Sequence, residues 1–405
     1  MKISPKIYVA LPAINEMELL PLCLECIGKQ SYNNFHVVIC VNQPDDWWEV
    51  EEKKIICENN FALLKELQKK DENTYTIIDK CSKGNGWKGN NKGVGWARKI
   101  IMDHTATIAN SDDIIVSLDA DTAFSEKYFT SIVTAFSKTK TVALANPYYH
   151  KLTNKEAEDR AILRYEIYMR NYAINLLLVD SPYAFTALGS AIALPVSSYK
   201  AIGGMTPKSS GEDFYFLQKL RKFGNIIVHN TEKVYPAARF SDRVFFGTGP
   251  AMIKGSNGDW ESYPVYHHSL FANIKETYAC FPKLFKKDCE TPLDSFLKEQ
   301  FRENIWQALR KNHKDEMHFI RACHEKIDGL RILQYLKQKQ SMMKKSDETC
   351  LLENLLMVYN RLHKFEKAIN IQDFVFSECS MGLLNDIRNY LVMIEEALQE
   401  KKIIA

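Results

Sequence analysis

Ile114 to Thr122 reads Ile-Ile-Val-Ser-Leu-Asp-Ala-Asp-Thr, an apolar run ending in two carboxylates one residue apart. Four of its first five residues are apolar and three of those are β-branched, which predicts a buried strand. Residues i and i+2 of a strand share a face, so Asp119 and Asp121 are expected to converge on one point. Two hard oxygen donors at the end of a parallel strand suit Mg²⁺ or Mn²⁺ carrying a phosphorylated ligand. The competing reading is a pair of solvated turn residues, since Asp is common after strands. A calcium loop is excluded, because Ala123 and Phe124 stand where Asp and Gly are required. A phosphatase-type nucleophile motif is weakened by the missing hydroxyl at Ala123.

The rest of the chain alternates strand and helix patterns, which predicts βαβ units and a largely parallel sheet. Lys6 to Leu11 is a first strand stopped by Pro12. The loop Pro12-Ala13-Ile14-Asn15-Glu16 leaves the end of that strand, where α/β sheets bind ligands. Asn15 and Glu16 are candidates to touch a nucleotide, although capping the next helix (Met17 to Ile27) is the stronger physical case for Asn15. Phe35 to Val41 is a second strand opening into Asn42-Gln-Pro-Asp45-Asp46, and Thr74 to Ile78 a third. Between Lys83 and Trp96 lies a Gly-rich, basic loop. Glycines such as Gly93 allow close backbone approach, and lysines such as Lys92 can neutralise phosphate. Its order is not that of a Walker A loop, and a plain surface loop is the competing reading.

Phe129 to Phe136 reads as a helix and Val142 to Asn146 as a strand. Asn154 to Leu178 is a long amphipathic helix whose Tyr165, Tyr168 and Tyr172 are expected in the core. A small-residue strand covers Ala187 to Leu194. Gly211-Glu212-Asp213 then precedes a helix from Phe214 to Phe223, and Asn225 to His229 is a short strand. Carboxylates at a helix start are stabilised by its dipole, and one fixed there is also well placed as a general base. Arg239 and Arg243 suit a diphosphate, because arginine stays charged and binds in bidentate fashion. His267 and His268 read as a structural pair.

From about Asn273 strand patterns vanish, and helices are expected over Phe296 to Leu309, Met317 to Gln338, Thr349 to His363 and Leu384 to Gln399. The 405 residues therefore divide into an α/β domain, 1–272, and an α-helical region, 273–405. A net charge of +3 gives no case for nucleic-acid binding. No apolar run reaches bilayer length, the start lacks a signal-peptide pattern, and ten scattered cysteines suit a reducing compartment. Cytoplasmic location is the expectation, and core packing the expectation for the Cys23/Cys26 pair.

Leu11-Pro-Ala-Ile-Asn-Glu16, Leu118-Asp-Ala-Asp-Thr122 and Gly211-Glu-Asp213 occur in an order and at separations that resemble family-2 glycosyltransferases of the GT-A fold. Gly189-Ser190 and Ile202-Gly203-Gly204 match as well, and the likeness runs from about Lys6 to Gly249. The resemblance implies a Rossmann-like, GT-A-type α/β sheet flanked by helices and followed by an α-helical extension. It implies an inverting enzyme that moves a sugar from a nucleotide-diphosphate sugar to an acceptor hydroxyl, in cell-surface glycan or polysaccharide synthesis. Ala13 and Glu16 would line the base and ribose and Asp119 would lie near the ribose and diphosphate, with Pro12, Asn15, Asn42, Lys92, Gly93, Ala120 and Arg243 completing the donor site. Asp121 would ligate Mn²⁺ or Mg²⁺, and Asp213 would be the general base. The loop after the second strand departs from the family pattern, so the base specificity stays open. The acceptor would be a glycan or lipid-linked, the latter bringing the chain to the inner membrane face. The C-terminal helices are candidates for a lid, an acceptor platform or a homo-oligomer interface. The rivals are a metal-dependent nucleotidyl- or phosphoryl-transfer enzyme and a non-catalytic glycosyltransferase-like scaffold.

Overall fold

The computed structural model describes residues 4–209, 211–229, 231–240, 248–362 and 374–404. Contacts divide the chain into two compact units, Met1–Ile162 with Phe185–Gly258, and Leu163–Ala184 with Asp259–Ala405. The division thus falls at Gly258/Asp259, where the sequence suggested 272/273, and it assigns Leu163–Ala184 to the second unit.

The first unit is built on a seven-stranded sheet and a two-stranded ribbon. The strands are β1 (Ile7–Ala13), β2 (Phe35–Asn42), β3 (Tyr75–Lys80), β4 (Ile114–Ser117), β5 (Thr122–Phe124), β6 (Ala143–Ala145), β7 (Ile192–Pro195), β8 (Ile226–Ile227) and β9 (Val234–Pro236). The sheet order is β3-β2-β1-β4-β7-β6-β8, and β5 pairs with β9. β1 lies parallel to both β2 and β4, β2 parallel to β3, and β6 parallel to β8; β7 alone runs against its neighbours β4 and β6. The expected α/β class, with a mostly parallel sheet, flanking helices and a helical C-terminal part, is what the chain forms. β1 and β4 are buried throughout, as continuous apolar runs in a covered parallel sheet must be. β3, at the edge, is only half-buried.

Pro12 does not stop the first strand, which continues to Ala13. Pairing with β4 ends at Ala10↔Ser117, so beyond Ala10 the strand is bonded on the β2 side alone. That one-sided position tolerates a residue with no N–H.

The helices of this unit are α1 (Leu20–Gly28), α2 (Lys54–Leu67), α3 (Val94–Ile108), α4 (Tyr128–Lys138), the start of α5 (Glu156–Leu178), α6 (Val196–Ala201), α7 (Glu212–Phe223) and α8 (Thr248–Ser256). α1 starts three residues later than expected, with Pro21 in its first turn and no side-chain cap, so Asn15 caps nothing. Asn15 instead takes a left-handed turn (φ 54°). Its N–H is held by Asn60 Oδ1 at 2.7 Å, from the α2 side.

The second unit holds the rest of α5 and α9 (His268–Ala279), α10 (Phe281–Lys286), α11 (Asp294–Phe301), α12 (Ile305–Asn312), α13 (Glu316–Lys326), α14 (Gly329–Met342), α15 (Asp347–Glu353) and α16 (Met381–Ile404). Two helices expected to be continuous are each broken in two. Arg302 takes a left-handed conformation and Asn304 caps α12 through its side chain; Asp328 does the same for α14. His363, the expected end of one helix, lies outside the described residues. Tyr165, Tyr168 and Tyr172 of α5 do pack in an aromatic cluster, with Tyr263 and Tyr266. The same helix also buries Glu166, Arg170 and Asn171, a polar content the apolar pattern did not disclose. Arg170 is paired with Glu166 at 3.1 Å and with Glu395 at 2.7 Å. Among the described residues no helix is long and apolar enough to cross a membrane.

Candidate functional site

Strand order reverses at β1, whose two neighbours lie on opposite sides, and loops at the carboxyl ends of such strands form a crevice. β4 stops at Ser117, so Asp119 and Asp121 sit in the turn between β4 and β5. Strand alternation therefore does not bring the two carboxylates together. Each carboxylate instead meets its own arginine.

Arg98, in the first turns of α3, is fully buried. Its guanidinium donates to Asp119 Oδ1, to Glu212 Oε1 at 3.0 Å, to Ser117 Oγ at 2.5 Å and to the Gly189 carbonyl at 2.8 Å. Ser117 Oγ bonds the same carbonyl at 2.7 Å, because antiparallel β7 brings the Gly189–Ala191 turn to the carboxyl end of β4. A Cβ on Gly189 would stand 2.1 Å from Arg98 Nη2 and 2.6 Å from Cζ. Gly189→Ala is therefore expected to destabilise the chain by about 1–3 kcal/mol, the usual cost of overfilling a packed interior. Urea unfolding of that variant checks it; an unchanged midpoint would contradict the packing around Arg98.

Arg239 makes the second pair. Its Nε and Nη2 donate to Asp121 Oδ2 at 3.1 and 2.8 Å, and Nη2 reaches Glu16 Oε1 at 2.5 Å. Glu16, from the loop after β1, is buried; Asp121 is mostly so. Arg239 was singled out in the sequence for diphosphate recognition, and in this structure its partners are carboxylates. Arg98 was missed altogether. Only its place in the Gly-rich loop's following helix hinted at it, and an arginine on a helix is ordinarily a surface residue.

Asp213, half-buried in the first turn of α7, follows Glu212 directly. Burial, then the neighbouring Glu212 carboxylate, pushes its carboxyl up to about 7, against the pull of Arg98. Such a group takes a proton near neutral pH, as a general base should.

The remaining candidates are dispersed around this centre. Pro12 and Ala13 are buried inside β1 rather than in a loop. Asn42, also buried, donates to the Ala13 carbonyl at 2.9 Å and accepts from Trp87 Nε1 at 3.0 Å. It thereby joins the ends of β1 and β2 to the Gly-rich loop. That loop is ordered at its start: Asp45 Oδ1 accepts from the Gly84 and Gly86 N–H groups at 2.7 and 3.2 Å. Gly93 immediately precedes α3 with φ 103°, packed against Ser209, while Lys92 beside it is exposed. Ala120 is buried between the two aspartates. Arg243 lies outside the described residues.

Asp119, Asp121 and Glu16 are hard donors of the kind Mg²⁺ and Mn²⁺ prefer. The fit at Asp121 is partial: Arg239 must release Oδ2 before a cation can take it. Among the described residues, the only group of three His, Cys, Asp or Glu side chains close enough to hold a metal is His267, His268 and Glu353, in the second unit.

A mostly parallel α/β sheet with acidic side chains at the carboxyl ends of its central strands defines a class of ligand-binding domain. No family model matches the chain, and the search of curated proteins found no match. Among solved structures, the chain is similar to Staphylococcus aureus TarS 1–349 in complex with UDP-GlcNAc, at 12% identity, covering 98% of this chain and 91% of that one, with TM-score 0.40. It is also similar to glucosyl-3-phosphoglycerate synthase from Mycobacterium tuberculosis in complex with Mn²⁺, UDP and glucosyl-3-phosphoglycerate, at 11% identity, covering 56% and 71%, with TM-score 0.33. Likeness that distant carries no chemistry across, so the activity has to be read from this chain's own side chains.

Proposed function

We propose that the chain is a glycosyltransferase that moves a sugar from a nucleotide-diphosphate sugar to an acceptor hydroxyl with inversion. The supporting observation is the Arg98 guanidinium, bonded to Asp119 on one side and to Glu212, the neighbour of Asp213, on the other. Carboxylates of two different chemical tasks thereby meet in one crevice. Asp213 accepts the proton of the attacking hydroxyl, and its raised proton affinity suits that step. Glu16, Asn42 and Asp119 belong to the donor side, where the leaving diphosphate departs.

Asp121 would hold the divalent cation, which supplies charge neutralisation to the leaving diphosphate when bound. Arg239, set free from Asp121, is then available to pair with the same phosphates. The acceptor would be a glycan or lipid-linked, in cell-surface glycan or polysaccharide synthesis.

Incubation with UDP- and GDP-sugars tests the reading. Release of a nucleoside diphosphate supports it; release of pyrophosphate or inorganic phosphate, or no turnover of any donor, would overturn it. The Asp121 assignment has its own expected result. At a nucleotide concentration of 100 times Kd, binding adds about 2.7 kcal/mol to stability. Mn²⁺ is expected to enhance that thermal shift in the native chain and not in Asp121→Ala, and equal enhancement in both would remove Asp121 from the metal.

A further inference from the structure

The second unit carries a side-chain group with no part in the transfer just described. His267 caps the start of α9, and His268 is its first residue. Their ring centroids lie 4.2 Å apart. His267 Nε2 is 2.6 Å from Glu353 Oε2, and one ligand atom from each of His267, His268 and Glu353 lies within 4.8 Å of the others.

The backbone holds both histidines firmly. The His267 N–H donates to Gln340 Oε1 at 3.2 Å, and the His268 N–H to Asn354 Oδ1 at 2.8 Å. Glu353 is the last residue of α15, and the chain continues as a π-helical turn, Asn354–Val358. Such turns are uncommon and concentrate at functional sites. His267 Nδ1 lies 2.7 Å from Ser269 Oγ and accepts the Ser269 N–H at 3.3 Å, so Nε2 holds the proton that faces Glu353 and would release it as a metal enters. His268 Nε2 is buried and has no hydrogen-bond partner among the described residues. A buried polar nitrogen left without a partner is unfavourable, and a metal ion is one partner that would satisfy it.

We propose that His267, His268 and Glu353 form a binding site for a divalent transition-metal ion, zinc being the best match. Two imidazoles and a carboxylate are the donor set of zinc and its neighbours, in contrast to the all-oxygen donors around Asp121. The ion would join the start of α9 to the end of α15, and three protein ligands leave a fourth position for water. Lys345 Nζ, 2.5 Å from the same Glu353 oxygen, occupies the place of a counter-cation and would swing away as the metal enters. Glu353 is partly exposed, so the ion has a way in.

The test uses the full-length chain, stripped with a chelator and titrated calorimetrically with Zn²⁺ against a competing chelator. One Zn²⁺ per chain is expected for the native protein and for Asp121→Ala. Binding should weaken tenfold or more in His268→Ala and in Glu353→Gln, and the visible bands of a Co²⁺-loaded protein should vanish in both. The proposal is overturned if the native chain takes up no Zn²⁺. It is equally overturned if the two variants bind as the native chain does, which is the pattern expected of uptake by thiols. Should His268→Ala fail to fold, Glu353→Gln decides alone, since its side chain is partly exposed and the exchange keeps its shape.

Discussion

Asp213→Asn is expected to lower sugar transfer by about 10²–10⁴-fold, the usual contribution of a positioned base, while changing nucleotide-diphosphate affinity by less than about twofold. The amide matches the carboxyl in shape and can still accept the Phe214 N–H that Asp213 Oδ1 accepts at 2.7 Å, so the fold of α7 is not at stake. In the native chain kcat/KM should rise with pH and level off above an inflection near 7, because only the ionised form accepts a proton. The two adjacent carboxyls titrate as a pair, so that inflection belongs to both. The residual activity of the Asn variant should be flat across the same range. Stability moves the opposite way. The folded chain keeps the Asp213 proton to about 7, whereas the unfolded chain releases it near ~3.9. The favourable contribution is complete below the lower value and is lost as pH rises through about 7. Asp213→Asn should therefore unfold at higher temperature than the native chain at pH 8 and lose that advantage at pH 4. Full transfer activity in the variant would exclude Asp213 as the base.

Arg98→Met carries the largest expected effect on stability. Glu212 is 3% exposed and its carboxylate is bonded to Arg98, so the single change leaves a buried charge without its counter-charge. Breaking one side of such a pair costs about 3–5 kcal/mol. Asp119 contributes less to that cost, since its side chain is 37% exposed and solvent can replace the arginine. The double variant Arg98→Met with Glu212→Leu should recover most of the lost stability, because apolar groups of similar size need no partner. It should recover no transfer activity, because Asp119 and the start of α7 are then held by nothing in common. Urea midpoints and donor affinity, measured on the two variants together, separate the outcomes. A single variant within about 1 kcal/mol of the native chain would mean that Arg98 is not the hub of this crevice.

The sheet was legible because its strands announce themselves. Runs such as Val37 to Val41 and Ile114 to Val116 are apolar throughout, and that pattern survives any change of context. Features set by distant partners were not legible. β5 and β9 have three residues each and exist because they pair with one another. Asn15 looked like a helix cap, and its conformation is decided by Asn60, 45 positions away. The same holds at the site. Asp119, Asp121, Glu16 and Asp213 stood out as carboxylates after strands or before a helix, whereas Arg98 did not, and Arg239 stood out for a diphosphate rather than for its carboxylates. An arginine's role depends on which carboxylates surround it, and those come from other parts of the chain. The breaks in the C-terminal helices were in principle readable, since Asn304 and Asp328 are both good capping residues.

The crowding at Gly189 has a consequence for how this chain can change over time. Arg98, Ser117, Asp119, Gly189 and Glu212 share one small volume, in which the glycine exists to admit the guanidinium. Arg98, Gly189 and Glu212 cannot be exchanged alone without either a collision or a stranded charge. Related chains should therefore alter these three positions jointly or leave all of them as they are. A lineage that put a side chain at 189 should have lost the arginine at 98, and with it the glutamate at 212. Sequence variation at three positions scattered over 115 residues would then report the geometry of a single guanidinium.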